Sequence, residues 1–327
     1  MERPCVVVPR EDGEQARQRL AAEDLVDGDY DIAVADGRLF IPVTEPDAVP
    51  EAFAVVARDV DARSQPRTPA DLLEFSPTYE RLGDIVVLDE DDPERAQAAA
   101  EAVMDSDVRA ETVVNRASKV KGEFRLREWD VLAGDGTETV HREYGNEFLL
   151  DIAEVYFSPR LATERRRIVE QVEAGERAFD MFAGVGPFAV PMAAAGAEVV
   201  ACDLNEAAVE YCRENAARND VADVVTVVAG DVREVAADWT DWADRVVMNL
   251  PHSAGEFCDT AVALAGDDCV VHLYDIQPED DPFGPGETAL RAAAEPAYDV
   301  TVTDRVEVRS YAPHELNVRL DARLRRA

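Results

Sequence analysis

The stretch Phe179-Asp180-Met181-Phe182-Ala183-Gly184-Val185-Gly186-Pro187-Phe188 constrains this chain more than any other. An apolar run enters a Gly-x-Gly turn and Pro187 follows; its fixed φ suits the first turn of a helix, where its missing N–H costs nothing. The sequence therefore predicts a strand that turns sharply into a helix. Glycines let the backbone come close to a ligand, and the N–H groups and positive dipole end of the next helix attract an anionic group. Taken alone, Gly184-x-Gly186-x-x-Ala189 fits an ordinary βα turn as well as a nucleotide site. Its surroundings have to decide.

Downstream the order alternates strictly. Strand Glu198 to Cys202 leads to Asp203-Leu204-Asn205 and a helix through Ala217; strand Val224 to Val228 leads to Gly230-Asp231 and a short helix. Strand Arg245 to Met248 leads to Asn249-Leu250-Pro251 and a helix from Ala254, and Cys269 to Tyr274 is a fifth strand. Such repetition predicts a parallel sheet covered on both faces, with ligand groups at the strand C-termini. Asp299 to Arg309 and Leu316 to Arg323 read instead as two strands joined by a loop, which closes one edge antiparallel. The expected fold class is α/β: a Rossmann-like domain over residues 158–327 with a mixed sheet, preceded by two smaller α+β domains.

Asp203 stands 23 residues after Asp180, where a carboxylate takes ribose hydroxyls. Dinucleotide enzymes and S-adenosylmethionine-dependent methyltransferases share that placement. Asp231, after the third strand, can reach an adenine amino group, and Asn249 puts an amide where a target nitrogen would sit. Both favour the methyl donor over NAD. The bland counterparts are a helix cap for Asp203, a turn carboxylate for Asp231 and a turn amide for Asn249.

Residues 1–65 carry short apolar runs, Cys5 to Val8, Tyr30 to Val34 and Leu39 to Val43, around a helical patch from Glu14 to Ala22. Arg63-Ser64-Gln65-Pro66-Arg67-Thr68-Pro69 reads as a linker. Residues 70–157 then begin with a strand from Gly83 to Asp89 and a helix started by Pro93. Strands follow at Glu111 to Ala117, Phe124 to Leu132, Glu138 to Tyr144 and Glu147 to Phe157, with Gly134-Asp135-Gly136 as a turn.

Charge gives this middle region a partner. The chain of 327 residues holds 69 acidic and 33 basic side chains, net −36, and Lys119 and Lys121 are its only lysines. With 47% hydrophobic residues it is no disordered acidic chain, and a carboxylate-rich, lysine-poor surface reads as adaptation to high salt. Yet Arg109, Arg116, Lys119, Lys121, Arg125, Arg127 and Arg142 cluster, which points to a polyanion. Counterion release weakens phosphate contacts in brine, so stacking and shape must add to them, and a folded RNA suits that better than a plain duplex. Tyr156 can supply stacking; Phe157 reads as an inward strand residue.

Five cysteines without a C-x-x-C pair argue against a disulfide framework or a zinc site and for a reducing cytosol. No apolar run reaches membrane-spanning length. Ser158-Pro159 predicts a helix start, with the hydroxyl as N-cap, and Leu161, Ile168, Val169 and Val172 form its apolar stripe. Glu164 falls on or beside that stripe, as an edge residue paired with an arginine or as a carboxylate aimed into a cleft.

Four stretches, Asp180 to Phe188, Asn249-Leu250-Pro251-His252, Tyr156-Phe157-Ser158-Pro159-Arg160-Leu161-Ala162-Thr163-Glu164-Arg165-Arg166-Arg167 and His141-Arg142-Glu143-Tyr144-Gly145, resemble the archaeal tRNA (guanine-37-N1) methyltransferase family. The resemblance covers most of the chain. It implies methyl transfer to a guanosine beside the anticodon, with the first module on the tRNA elbow and the middle domain on the anticodon arm. It also implies that Arg165, Asp203, Leu204, Asp231, Val232 and Asn249 hold the donor; Asp180, Gly184 and Gly186 of the elbow are expected to join them. By the same resemblance Glu164 and Arg142 act in catalysis, with Asn249 orienting the base. Arg116, Lys119, Lys121, Arg125, Arg127, Tyr156 and Arg160 are the expected RNA contacts. A monomer that needs no metal is expected. A wyosine-pathway transferase using the same donor and an NAD-dependent oxidoreductase are the competing activities.

Overall fold

Short alternating apolar segments build the first 60 residues. The computed structural model describes residues 1–63, 66–122 and 124–327, so Ser64 and Gln65 of the expected linker lie outside the described residues. The chain divides into two units, Met1–Arg67 and Thr68–Ala327. In the first, β1 (Glu2–Pro9), α1 (Gly13–Ala22), β2 (Ala33–Ala35), β3 (Arg38–Pro42) and β4 (Ala54–Asp59) form an antiparallel sheet in the order β2-β3-β1-β4. Ala16 and Leu20 of α1 pack on Val6, Val8 and Ile41 of the sheet. The strand expected from Tyr30 shrinks to three residues. Tyr30 makes only an isolated bridge to Ala62, and its hydroxyl is taken by Arg3.

The second unit opens with β5 (Tyr79–Leu82), β6 (Ile85–Leu88), α2 (Pro93–Asp105), β7 (Thr112–Arg116) and β8 (Trp129–Ala133), in the sheet order β5-β6-β7-β8. Asp92 caps α2 by accepting from the N–H groups of Glu94 and Arg95, and Pro93 takes the first helical position. The strand expected over Phe124 to Leu132 keeps only its last part. Gly122 (φ 70) and Arg125 (φ 55) turn the chain in left-handed geometry and close a Lys121–Leu126 bridge, which leaves Arg125 and Arg127 on a loop. Next come β9 (Glu138–Glu143) and β10 (Asn146–Asp151), a two-stranded hairpin. The expected run to Phe157 stops at Asp151, whose carboxylate accepts from the Ala153 N–H and whose carbonyl accepts from that of Val155. Residues 152–157 therefore leave the sheet.

Beyond a 3-10 turn at Pro159–Leu161 runs α3 (Ala162–Val169). Ser158 precedes the turn as expected, but its hydroxyl makes no capping bond. The remaining elements are β11 (Arg177–Asp180), α4 (Ala189–Ala194), β12 (Glu198–Asp203), α5 (Glu206–Arg218), β13 (Val225–Ala229), α6 (Val232–Val235), β14 (Ala243–Asn249), α7 (Cys258–Leu264), β15 (Ala265–Pro278), α8 (Gly284–Ala294), β16 (Tyr298–Ala312) and β17 (Glu315–Arg326). They form a seven-stranded sheet in the order β13-β12-β11-β14-β15-β17-β16. The first five strands are parallel, and β17 pairs antiparallel with both β15 and β16.

Burial on both faces explains why the strands read as unbroken apolar runs. Along β12, Val199 and Ala201 join one core with Ala178, Val247 and Phe188, whereas Val200 and Cys202 join the other with Phe179, Val246 and Met248. Asn215 of α5 and Asn219 just past its end tie the hairpin to this domain. Their side-chain carbonyls accept from the N–H groups of Leu149 and Glu147. All parallel strands end at one rim, and the polar residues collect there.

Candidate active site

At that rim the elbow bends through two glycines of positive φ, Gly184 at 53° and Gly186 at 87°. Their duties differ. Gly184 faces a crevice and donates its N–H to Asp203 Oδ2 at 2.7 Å, while Asp203 Oδ1 accepts from the Asn205 N–H at 2.9 Å. Gly186 turns away from the crevice: a Cβ there would stand 2.9 Å from Cys212 Sγ and 3.1 Å from Val190 Cγ2. It is the contact that lets the elbow lie on α5. Asp180 likewise does not line the crevice but sits beneath it, fully buried, with neither carboxyl oxygen in a hydrogen bond of normal geometry. Burial, helped by the neighbouring charge of Asp203, pushes its carboxyl up to about 7, against the pull of the Phe182 and Ala189 N–H groups. Of the expected donor contacts, then, Asp180 and Gly186 support the site from behind.

The others face it. Asp203, Leu204, Asp231, Val232, Asn249 and Arg165 all line the crevice. Burial raises the Asp203 carboxyl, opposed by the Asn205, Gly184 and Leu204 N–H groups. Asp231 caps α6, accepting from the Arg233 N–H, and its ion pair with the Arg233 side chain holds its carboxyl low. Asn249 ends β14 with Oδ1 buried and unpartnered. Arg165 is buried and spent on Glu143, with contacts of 2.7 and 2.6 Å, and also donates to the Ser158 carbonyl.

Several lining residues were not expected. Phe182 and Phe257 meet edge to face at 5.0 Å, and Arg233 lies over Phe257. Ile276, Asn317 and Arg309 also face the crevice and are direct cross-strand neighbours on β15, β17 and β16. Asn317 is 2% exposed, and its Oδ1 has no partner. No motif marks this row, because only the closing hairpin brings it to the rim. None of the five cysteines lines the crevice; all are buried, and burial pushes the thiols of Cys202 and Cys258 up to about 12.

A second cavity shares the wall made by Arg125, Tyr156, Phe157, Ser158, Arg309 and Tyr311. Arg116, Arg127 and Arg160 line it as well, so five of the seven expected RNA contacts meet at one recess. Lys119 and Lys121 do not reach it. Lys121 is exposed, 3.9 Å from the Glu128 carboxylate.

Comparison with known proteins fixes the family. Residues 139–302 match the TRM5/TYW2 methyltransferase domain, residues 5–51 the tRNA methyltransferase 5 N-terminal domain and residues 65–137 the TYW2 N-terminal domain. A tRNA (guanine(37)-N(1))-methyltransferase Trm5b of Pyrococcus abyssi is 37% identical over 98% of this chain and 98% of its own. The chain belongs to the Trm5 family.

Among solved structures, one described as the complex structure of aTrm5 and tRNALeu matches with a TM-score of 0.71 at 31% identity, covering 98% of this chain and 99% of that one. A tRNA(Phe) (4-demethylwyosine(37)-C(7)) aminocarboxypropyltransferase of Pyrococcus horikoshii is 31% identical over 78% of this chain and 92% of its own. The Trm5 resemblance assigns Glu164 and Arg142 to the reaction, and neither lines the crevice here. Glu164 Oε2 accepts from Arg319 at 2.7 Å, Tyr274 at 3.1 Å and Arg167 at 3.3 Å. Tyr274 and Arg319 each lie two residues along their strands from the lining residues Ile276 and Asn317, and Glu164 stands next to the lining residue Arg165, so it adjoins the crevice wall without lining it. Arg142 is 74% exposed and paired with Glu147 at 2.7 Å, on the face of the hairpin opposite Glu143. Strand alternation puts Glu143 under Arg165 and turns Arg142 outward.

Proposed function

We infer that this chain transfers the methyl group of S-adenosylmethionine to N1 of guanosine 37 of tRNA. What carries the inference is the juxtaposition at the rim: a crevice edged by Asp203, Asp231, Val232 and Asn249 opens beside a recess walled by arginines. The crevice suits the donor chemically. Asp203 can accept from ribose hydroxyls and Asp231 from an adenine amino group, between the apolar flanks of Leu204 and Val232. Asn249 Oδ1, buried and unpartnered, is an acceptor still to be satisfied.

When bound, the donor supplies a methyl group that is already electrophilic, so the protein needs no covalent nucleophile. Its residues must hold guanine N1 at about 3 Å from that carbon and remove the N1 proton. Asn249 orients the base edge. Glu164 takes the proton after exchanging Arg319 and Tyr274 for the guanine, and Arg142 leaves Glu147 to stabilise charge developing on O6. Asp180, Gly184 and Gly186 keep the elbow in place.

Aminocarboxypropyl transfer uses the same donor and is the second reading. It is disfavoured because the methyltransferase relative matches over nearly the whole length of both chains, including the residue 5–51 module, while the aminocarboxypropyltransferase of Pyrococcus horikoshii covers 78% of this chain. In this reading residues 1–65, 70–157 and 158–327 act as elbow-contacting, anticodon-arm and donor-binding modules of a cytosolic, salt-adapted, metal-free monomer. Mass analysis of nucleosides from tRNA incubated with the enzyme and donor tests the choice: N1-methylguanosine supports it, and a residue carrying the larger aminocarboxypropyl increment overturns it.

A further inference from the structure

Most arginines of the second unit are neutralised; before Arg116, Arg95 is paired with Glu90, while Arg81 and Arg109 are exposed and hold no described carboxylate. From Arg116 to Arg326, each holds a described carboxylate within 4.0 Å except Arg125, Arg127 and Arg309. In a chain with 69 carboxylates for 33 cations, three half-buried guanidiniums that lack one at a single recess need an explanation. All three line the second cavity. They come from distant parts of the chain, two from the left-handed loop before β8 and one from β16. Each is half-buried.

Their hydrogen-bonding capacity is also largely unused. Arg125 donates only to the Pro251 carbonyl, at 3.3 Å, and lies over the Tyr156 ring. Arg127 lies over Trp129, and among the described residues neither its side chain nor that of Arg309 makes a hydrogen bond. Nε of Arg125 and of Arg309 is buried without a partner. Burial holds the Arg127 guanidinium below its usual range, and the like charge of Arg116 adds to this. Glu80, the one acidic residue of the wall, is already bound to Arg116 and Arg160. A recess of this kind lacks an anion.

We propose that Arg309, with Arg125 and Arg127, clamps one phosphodiester of the RNA strand, next to the nucleotide whose base enters the donor crevice. The ligand class follows from the geometry. The cavity shares the Arg125, Tyr156 and Arg309 wall with the crevice, so an anion held there is attached within a nucleotide of the reacting base. Half-buried guanidiniums are screened by salt far less than surface lysines, so the clamp keeps its grip in brine. A guanidinium fork also matches phosphate oxygens. The proposal rests on the reading that RNA is the substrate, and adds Arg309, which no basic motif marked.

The test is a double-mutant cycle on affinity. tRNA transcripts carry a single uncharged methylphosphonate on the 5′ or the 3′ side of nucleotide 37, and binding to the full chain is measured by fluorescence anisotropy. For the wild type, one of the two neutral linkages should weaken binding about 10- to 100-fold, the range for a hydrogen bond to a charged group. Arg309→Gln should weaken binding of the unmodified transcript by a similar factor and be nearly indifferent to the neutral linkage. Arg127→Gln carries the same cycle should Arg309→Gln misfold, which its Tm by circular dichroism against that of the wild type reports. Losses that multiply independently at both linkages in both variants, or a wild type blind to the neutral linkages, overturn the clamp. Failure of the functional reading looks different: a wild type that binds tRNA but leaves it unmethylated.

Discussion

Asp180 is a buried carboxyl whose proton should leave a mark on stability. Removed from water and facing Asp203, it titrates near 7 instead of its ordinary 3.8. Between those values the folded chain keeps a proton that the unfolded chain has released. The raised value of an acid means that stability is highest at low pH and falls as pH rises through the window, by about 1.4 kcal/mol per unit. From pH 5 to pH 7 the loss attributable to this group is about 2 kcal/mol, because the folded carboxyl is itself half titrated at the upper end, and it levels off about one pH unit higher. Asp180→Asn removes the titration while keeping size and polarity. Urea unfolding at constant high salt, followed by tryptophan fluorescence, reads the right unit, since Trp129, Trp239 and Trp242 all belong to Thr68–Ala327. The difference in unfolding free energy between variant and wild type should grow by about 2 kcal/mol in the variant's favour from pH 5 to pH 7. Taking the difference cancels the many surface carboxylates that both proteins share. Parallel pH curves for the two proteins would refute the reasoning.

Glu164→Gln should leave donor and tRNA affinities within a few-fold and slow single-turnover methyl transfer by at least roughly tenfold, the low end for a lost general base; wild-type turnover would remove Glu164 from the mechanism. Gly186→Ala should destabilise the second unit by about 1–3 kcal/mol, since its φ of 87° suits glycine and the new methyl would meet Cys212 Sγ. A lowered Tm with weakened donor binding is the expected result, and an unchanged Tm would show that the elbow tolerates the methyl.

What the sequence made legible follows from how the central sheet is built. Strands β11, β12, β14 and β15 lie inside the sheet between two cores, so they read as apolar runs, and each rim residue stands at or just past the end of its strand, as Asp203, Asn249 and Asp231 do. Contacts across the fold were not legible. The helix pattern put Glu164 on a half-buried face, but its partner Arg319 lies 155 residues away. Arg309 and Asn317 enter the site only through the pairing of β16 with β17, and their strand carries no motif. Helix α8 went unread because Gly284-Pro285-Gly286 looks like a breaker, although Pro285 serves its first turn. The strand expected from Phe124 was cut short by Arg125, a non-glycine residue in left-handed geometry that no propensity would place there.

The central claim is that a donor bound at the sheet's rim gives its methyl to N1 of one purine. Labelled methyl transfer to a tRNA transcript with guanosine at position 37, against the same transcript with adenosine there, tests it most directly. The account predicts label in the first, recovered as N1-methylguanosine, and none in the second; equal labelling of both, or of neither, would contradict it.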